Sequence, residues 1–299
     1  MYSTVHFVTI ICHLLRWQTL YSPILFFIPL ANNFIISFFG NDCICFYSPI
    51  YPTQYALSRY FFEDLFDYID KKNAHHFSDN AQRIIGLKQE YINTIDSVIL
   101  FLQGKNPTLV HSICQKGFLP QASRFDQLET YYGKAFGSMN TQDEAKHLAT
   151  LYIEDMSDLI KECVDPFFGF SRYAERLARS ANSFDEMYTL LHQDYSYIDK
   201  LLINVLRRKI ESIQPKIVAI SVPFPGNVFS AFRSSQWIKQ YHPDITIVMG
   251  GGFPNTELRS VSDPRVFEFV DFITLDDGEL PVECLVKYIT GSSHLNQQS

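Results

Sequence analysis

Between Lys216 and Leu275 three short apolar runs follow one another, each bounded by Gly, Pro or Asp: Lys216-Ile-Val-Ala-Ile-Ser-Val222, Ile245-Thr-Ile-Val-Met249 and Asp271-Phe-Ile-Thr-Leu275. Runs of this length, rich in Val and Ile, predict strands of a parallel sheet buried on both faces. The segment between the first two carries Phe229, Phe232, Trp237, Ile238 and Tyr241, an aromatic stripe suited to the crossover helix of a βαβ unit. All three runs end in irregular loops: Pro223-Phe-Pro-Gly-Asn227, Gly250-Gly-Gly252-Phe-Pro254 and Asp276-Asp-Gly-Glu279. Ligands of open α/β sheets sit at the carboxyl ends of the strands, which makes these loops the candidate site.

From Ser58 to Gln214 the pattern is mostly helical. Asn80–Gln103 and Thr141–Cys163 are long and contain no Pro. In the second, Ala145, Leu148, Ala149, Tyr152, Met156, Leu159, Ile160 and Cys163 recur at the spacing of one helix face. Thr141 with Glu144 predicts a capping box at its start, and Asp165-Pro166 its end. Ser183 with Glu186 predicts the cap of another helix, and Ile198–Ile213 a last one stopped by Pro215. Lys116–Ser138, rich in Gly, Pro and polar residues, reads as a long connection, and Ser292–Ser299 as a disordered tail. The expected organisation is therefore an atypical apolar segment over 1–57, a helical region over 58–214, a Rossmann-like α/β unit over 215–291 and the tail over 292–299.

Charge changes this picture at one end only. Before Ser58 the sole formal charges are Arg16 and Asp42, and Trp17–Asn41 has none. A membrane span needs about twenty predominantly apolar residues, and Pro23, Pro29, Asn32 and Asn33 interrupt the run. A cleaved signal peptide lacks its basic start, because the first fifteen residues contain no Lys or Arg. Buried strands, a membrane segment and a stretch foreign to the rest of the chain, such as a shifted reading frame, remain the alternatives. Over the whole chain 25 basic and 32 acidic residues give a formal charge of −7, which argues against a general nucleic-acid or anionic-membrane surface. Six scattered cysteines in 299 residues form no secreted disulfide framework, so a reducing, cytoplasmic setting is expected.

Each residue of the candidate site has a functional and a structural reading. Gly250, Gly251 and Gly252 permit close approach of an anion to backbone N–H groups, or simply a tight turn. They are not a dinucleotide fingerprint, since position 255 is Asn where the third Gly would stand. Ser221, Asn227 and Ser230 offer hydrogen bonds to a ligand or caps to the helix beginning near Val228. Asp276, Asp277 and Glu279 suit a polar ligand or the N-terminal turn of the helix running through Lys287. Cys43-x-Cys45 lacks metal-site partners, and His75-His76 reads as a solvated linker pair. Neither a Gly-x-Ser-x-Gly elbow nor a His-Glu-x-x-His helix is present, so hydrolytic chemistry has no support.

Taken together, Ser221-x-Pro223, the helix ending Ile238-Lys239-x-x-x-Pro243, the strand entering Gly250-Gly-Gly252, and Asp271-x-Ile273 leading to Gly278-Glu279 resemble the cobalamin-binding domain found ahead of many radical S-adenosylmethionine enzymes. The resemblance covers roughly residues 141–290, with Thr141–Lys161 and Phe168–Leu190 similar to a helical insert of one subgroup. It implies an α/β fold with a cobalamin-binding type of sheet, opened by Cys43-Ile-Cys-Phe-Tyr-Ser-Pro49 as first strand. It implies a corrinoid cofactor contacted by Ser221, Pro223, Pro225, Gly226, Asn227, Ser230, Gly250, Gly251, Gly252, Phe253, Asp276, Gly278 and Glu279, with the glycines against the nucleotide tail. The Asp-x-His-x-x-Gly motif that ligates cobalt in some relatives is absent. So is the Cys-x3-Cys-x2-Cys triplet that binds an iron–sulfur cluster for S-adenosylmethionine cleavage, since Cys12, Cys43, Cys45, Cys114, Cys163 and Cys284 do not have that spacing. The expectation is a domain that partners a separate or missing catalytic region and is inactive alone. A non-catalytic interaction module with a degenerate cofactor site, and an N-terminally membrane-anchored protein, are the rival readings.

Overall fold

The apolar runs pair as strands, and two strands from upstream join them. The computed structural model describes residues 37–38, 43–47, 58–72, 77–126, 140–170, 184–259, 263–276 and 279–289. The strands are β1 (Ser37–Phe38), β2 (Cys43–Tyr47), β3 (Ile217–Ser221), β4 (Thr246–Gly250) and β5 (Phe272–Ile273). They lie in the order β1-β2-β3-β4-β5, with β1 antiparallel to β2 and all later neighbours parallel. The register sets Tyr47 beside Ser221 and Ser221 beside Gly250, so three carboxyl ends stand level. The chain is α/β, and its parallel sheet is compatible with a Rossmann-like arrangement.

Alternation along β3 and β4 explains why these strands read as continuously apolar. Val218, Ile220, Ile247 and Met249 face the main core, while Ile217 and Val248 turn to the opposite face with Ala219. The third run departs from the expectation of burial on both faces. Only Phe272 and Ile273 form strand, Phe272 is 40% exposed, and among the described residues β5 is the edge of the sheet.

Ten helices accompany the sheet among the described residues: α1 (Arg59–Asp70), α2 (Asp79–Gly86), α3 (Lys88–Leu102), α4 (Val110–Ile113), α5 (Thr141–Cys163), α6 (Asp185–Leu191), α7 (Tyr197–Ile213), α8 (Val228–Tyr241), α9 (Gly252–Glu257) and α10 (Glu279–Ile289). Helix α8 is the expected crossover, burying Val228, Phe229, Phe232, Trp237 and Ile238 against β3 and β4. Leu285 and Ile289 of α10 cover the other sheet face. Residues from α1 through α8 and the inner faces of β3 and β4 form one continuous apolar core, so helical region and sheet are packed together across position 214.

Several helix ends differ from the sequence reading. Asn80–Gln103 is two helices, broken at Leu87 after Gly86, a poor residue for a helix interior. Helix α5 is capped by Asn140, whose Oδ1 accepts from the N–H groups of Gln142 and Asp143, rather than by a Thr141–Glu144 box. The capping box belongs to α7, where Ser196 and Asp199 satisfy each other's backbone N–H. Helix α7 ends on Gln214 at φ 50°, just before Pro215. The long connection after Lys116 is held at its start by Asp155 of α5, which accepts from Ala122 N (2.9 Å), Arg124 N (3.0 Å) and the Tyr91 hydroxyl (3.2 Å).

The expectations for Trp17–Asn41 apart from Ser37–Phe38, and for His75-His76, Ser183, Asp277, Gly278 and the tail, fall outside the described residues, as do the side chains of Cys43 and Cys45. No helix among the described residues is long and apolar enough to cross a membrane.

Candidate functional site

At the carboxyl edge three loops are stitched to one another by backbone hydrogen bonds. Val222 N donates to Gly250 O (2.7 Å), Phe253 N to Val222 O (3.0 Å) and Thr274 N to Met249 O (2.8 Å). This stitching accounts for all three glycines. Gly251 has φ +106° and ψ −171°, a region open almost only to glycine, and a Cβ there would lie 2.9 Å from Val222 N and 3.0 Å from Ser221 Oγ. A Cβ on Gly252 would lie 3.0 Å from Pro223 O, and one on Gly250 would collide with Thr274 Oγ1. The triplet is what the sheet edge needs to pack on itself.

The remaining candidates separate by depth. Ser221 closes β3 half-buried, and its hydroxyl makes no hydrogen bond among the described residues. Pro223 and Pro225 are half-buried and flank Phe224, which is 47% exposed. Gly226, Asn227, Ser230 and Phe253 lie beneath this surface: Phe253 joins the apolar core, and Ser230 Oγ donates to Asn227 O (3.1 Å) at the start of α8. Asn227 stands at the N-cap of α8 without a side-chain capping bond. Thus Ser221, Pro223, Gly251 and Gly252 are brought together at the edge, while the other four build the floor.

Asp276 is held by two residues that no motif announced. The Asn255 carboxamide donates to Asp276 O (2.7 Å) and accepts from Asp276 N, fixing Asp276 at φ 64°. The Asp276 carboxylate pairs with Arg259, whose Nε also donates to Asn255 O (2.7 Å). Asn255, set aside in the sequence as the residue replacing a third Gly, is therefore the centre of a clamp between α9 and the loop after β5. Its usable signal is Asn255 with Arg259 four residues later, one helical turn on. Glu279 begins α10.

The motif around α8 is explained by packing. Ile238 is fully buried, and Lys239 Nζ reaches Asp271 Oδ1 (2.5 Å) and Oδ2 (2.6 Å). Asp271 Oδ2 in turn accepts from Ile247 N (2.8 Å), tying helix, β4 and the approach to β5 at one point.

The edge thus offers a hydroxyl, a partly exposed aromatic ring and proline-stiffened backbone. Among the described residues no group of three or more His, Cys, Asp or Glu is placed to hold a metal ion. No family model matches the chain, and neither a curated protein nor a solved structure matches it.

Proposed function

We propose that the chain is a cobalamin-binding type of domain that serves a radical S-adenosylmethionine catalytic region not contained in its sequence. The observation that carries this reading is the level arrangement of Tyr47, Ser221 and Gly250 at the carboxyl ends of three parallel strands. In open parallel sheets that edge is where ligands dock. The residues present fit a corrinoid placed over Ser221 and the Pro223–Pro225 segment, which leave a hydroxyl and an aromatic ring at the surface. When bound, a corrinoid supplies methyl-carrying or radical-assisting chemistry; the chain's own residues bind and orient it.

They do not fit an iron–sulfur cluster, because Cys114, Cys163 and Cys284 stand in the turn after α4, in α5 and in α10 respectively, and no trio has cluster-binding spacing. No reductive cleavage step is assigned to this chain.

One observation favours a second reading, a non-catalytic interaction module: the glycines are fully accounted for by internal packing, so a sheet that had lost its ligand would keep them. Titration of the purified chain with cobalamin, followed by visible absorbance, separates the two. Saturable binding with a one-to-one end point supports the cofactor reading. Absence of binding at millimolar cobalamin transfers support to the interaction module.

A further inference from the structure

Helix α7 buries one side and leaves the other charged. Ile198, Leu202, Leu206 and Ile210 are buried. Lys200, Asn204, Arg207, Arg208 and Glu211 recur at helical spacing on the opposite, exposed face. Lys209 is exposed on its flank, and Glu211 is the one exposed acid of the helix. The helix ends four residues before β3 begins, which puts Arg207 and Arg208 towards the amino edge of the sheet, away from the loops of the carboxyl edge.

These two arginines stand apart from the rest. Arg59, Arg83, Arg124, Arg233, Arg259 and Arg265 each meet a carboxylate. Among the described residues Arg207 and Arg208 meet none, although Glu211 lies within one turn of both. Instead Arg207 Nη2 donates to Asn204 Oδ1 (2.5 Å) and Arg208 Nε to Asn204 O (3.2 Å). One residue thus anchors both guanidiniums on the same face and leaves the rest of each fork without a protein acceptor among the described residues. The helix dipole does not account for them, since it favours cations in the last turn, where α7 has none.

In a chain of formal charge −7, an uncompensated cationic stripe reverses the local field. We propose that this face of α7 is a docking surface for an acidic, carboxylate-rich segment of a partner protein. Lys200 and Arg207 are a little under two turns apart, about 10 Å along the axis at 1.5 Å per residue, too far for one phosphate group to bridge. An extended chain rises about 3.3 Å per residue, so carboxylates three positions apart match that span. Guanidinium forks bind carboxylates bidentately, and Asn204 holds them ready. The face carries no apolar side chain to enter a bilayer, because the apolar side of α7 is spent on the core. It carries no aromatic ring on which a nucleic-acid base would stack.

The test titrates the full chain into a fluorescein-labelled oligoglutamate peptide, with an oligoglutamine of the same length as control, and reads fluorescence anisotropy. Wild type is expected to bind oligoglutamate at least about tenfold more tightly than oligoglutamine at low ionic strength, a preference that shrinks as salt rises. At physiological ionic strength, Arg207→Glu with Arg208→Glu is expected to weaken oligoglutamate binding by about tenfold or more. Lys146→Glu with Lys161→Glu makes the same change of charge at exposed positions of α5 and is expected to leave binding within about threefold of wild type. Far-ultraviolet circular dichroism confirms the fold of both variants. Three results overturn the proposal: no preference of wild type for oligoglutamate, equal weakening by the two double variants, or tighter binding of wild type to single-stranded RNA or anionic phospholipid vesicles than to the peptide. None of these involves a corrinoid, so the surface on α7 is tested separately from the function proposed above.

Discussion

Nε of Arg233 lies 3.0 Å from Oδ2 of Asp199, and both side chains are almost completely buried. That contact is an ion pair rather than an aligned hydrogen bond; the aligned bonds of the guanidinium go to Leu191 O (2.8 Å), Leu190 O (2.9 Å) and Gln236 Oε1 (2.7 Å). The Tyr195 and Phe229 rings lie 4.8 and 5.2 Å from its central carbon. Arg233 thereby satisfies the open carbonyls at the end of α6 and joins α6, α7 and α8 into one unit. Removing one member of a buried pair strands the other, so Arg233→Ala is predicted to cost about 3–5 kcal/mol. Urea denaturation measures it. Replacing both partners, Arg233→Met with Asp199→Leu, is predicted to recover part of that loss.

Gly251 and Gly86 make a matched pair of opposites. Gly251→Ala forces a side chain into φ +106° against Val222, and is predicted to destabilise the chain by at least about 1–3 kcal/mol whether or not a corrinoid is present. Gly86 ends α2 with nothing within 4 Å of a built Cβ. Gly86→Ala is therefore predicted to stabilise by about 0.5–1 kcal/mol. Thermal unfolding of the two variants beside wild type checks both signs.

Burial pushes the Asp155 carboxyl up from its ordinary value, opposed by hydrogen bonds from Arg124, Ala122 and Tyr91. A carboxylate whose folded pKa is raised binds its proton more tightly in the folded state than in the unfolded one. Stability linked to this group therefore rises as pH falls from neutral through the folded pKa towards the ordinary aspartate range. The stability difference between wild type and Asp155→Asn is predicted to move in favour of wild type on acidification across that window. A difference that moves the other way in denaturant titrations contradicts the assignment.

Asp271 and Lys239 are predicted to be unequal partners. Lys239→Ala removes a partly exposed ion pair, worth about 0–1 kcal/mol. Asp271→Ala removes the same pair and also the acceptor for Ile247 N, adding the cost of an unmet backbone donor, about 1–3 kcal/mol. Equal losses from the two substitutions in chemical denaturation would show that the backbone contact contributes nothing.

Much of this fold was legible because local and tertiary preferences agree in it. The apolar runs at Ile217 and Ile247 became β3 and β4, and the stripe Phe229–Phe232–Trp237 became the buried face of α8. Helix α5 was readable end to end, but its cap was misplaced by one residue, because Asn140 rather than Thr141 accepts from the first free N–H groups, those of Gln142 and Asp143. The edge character of β5 was hidden, since a strand's place in the sheet, last among the described strands, is not written in its own run. At the site, Ser221 and the glycines were visible as a motif, whereas the Asn255–Arg259–Asp276 clamp depends on two loops meeting only after folding. The glycines taught a further lesson: a pattern shared with ligand sites was required by the chain's own crossing at Val222.

The central claim is that a corrinoid docks on the carboxyl edge of the parallel sheet, and amide hydrogen exchange of the full chain with and without cobalamin tests it most directly. The account predicts slowed exchange confined to residues 221–228 and 250–256, with α3 and α5 unchanged because their amides are remote from that edge. Unchanged exchange throughout at saturating cobalamin, or protection confined to the helical region, would contradict it.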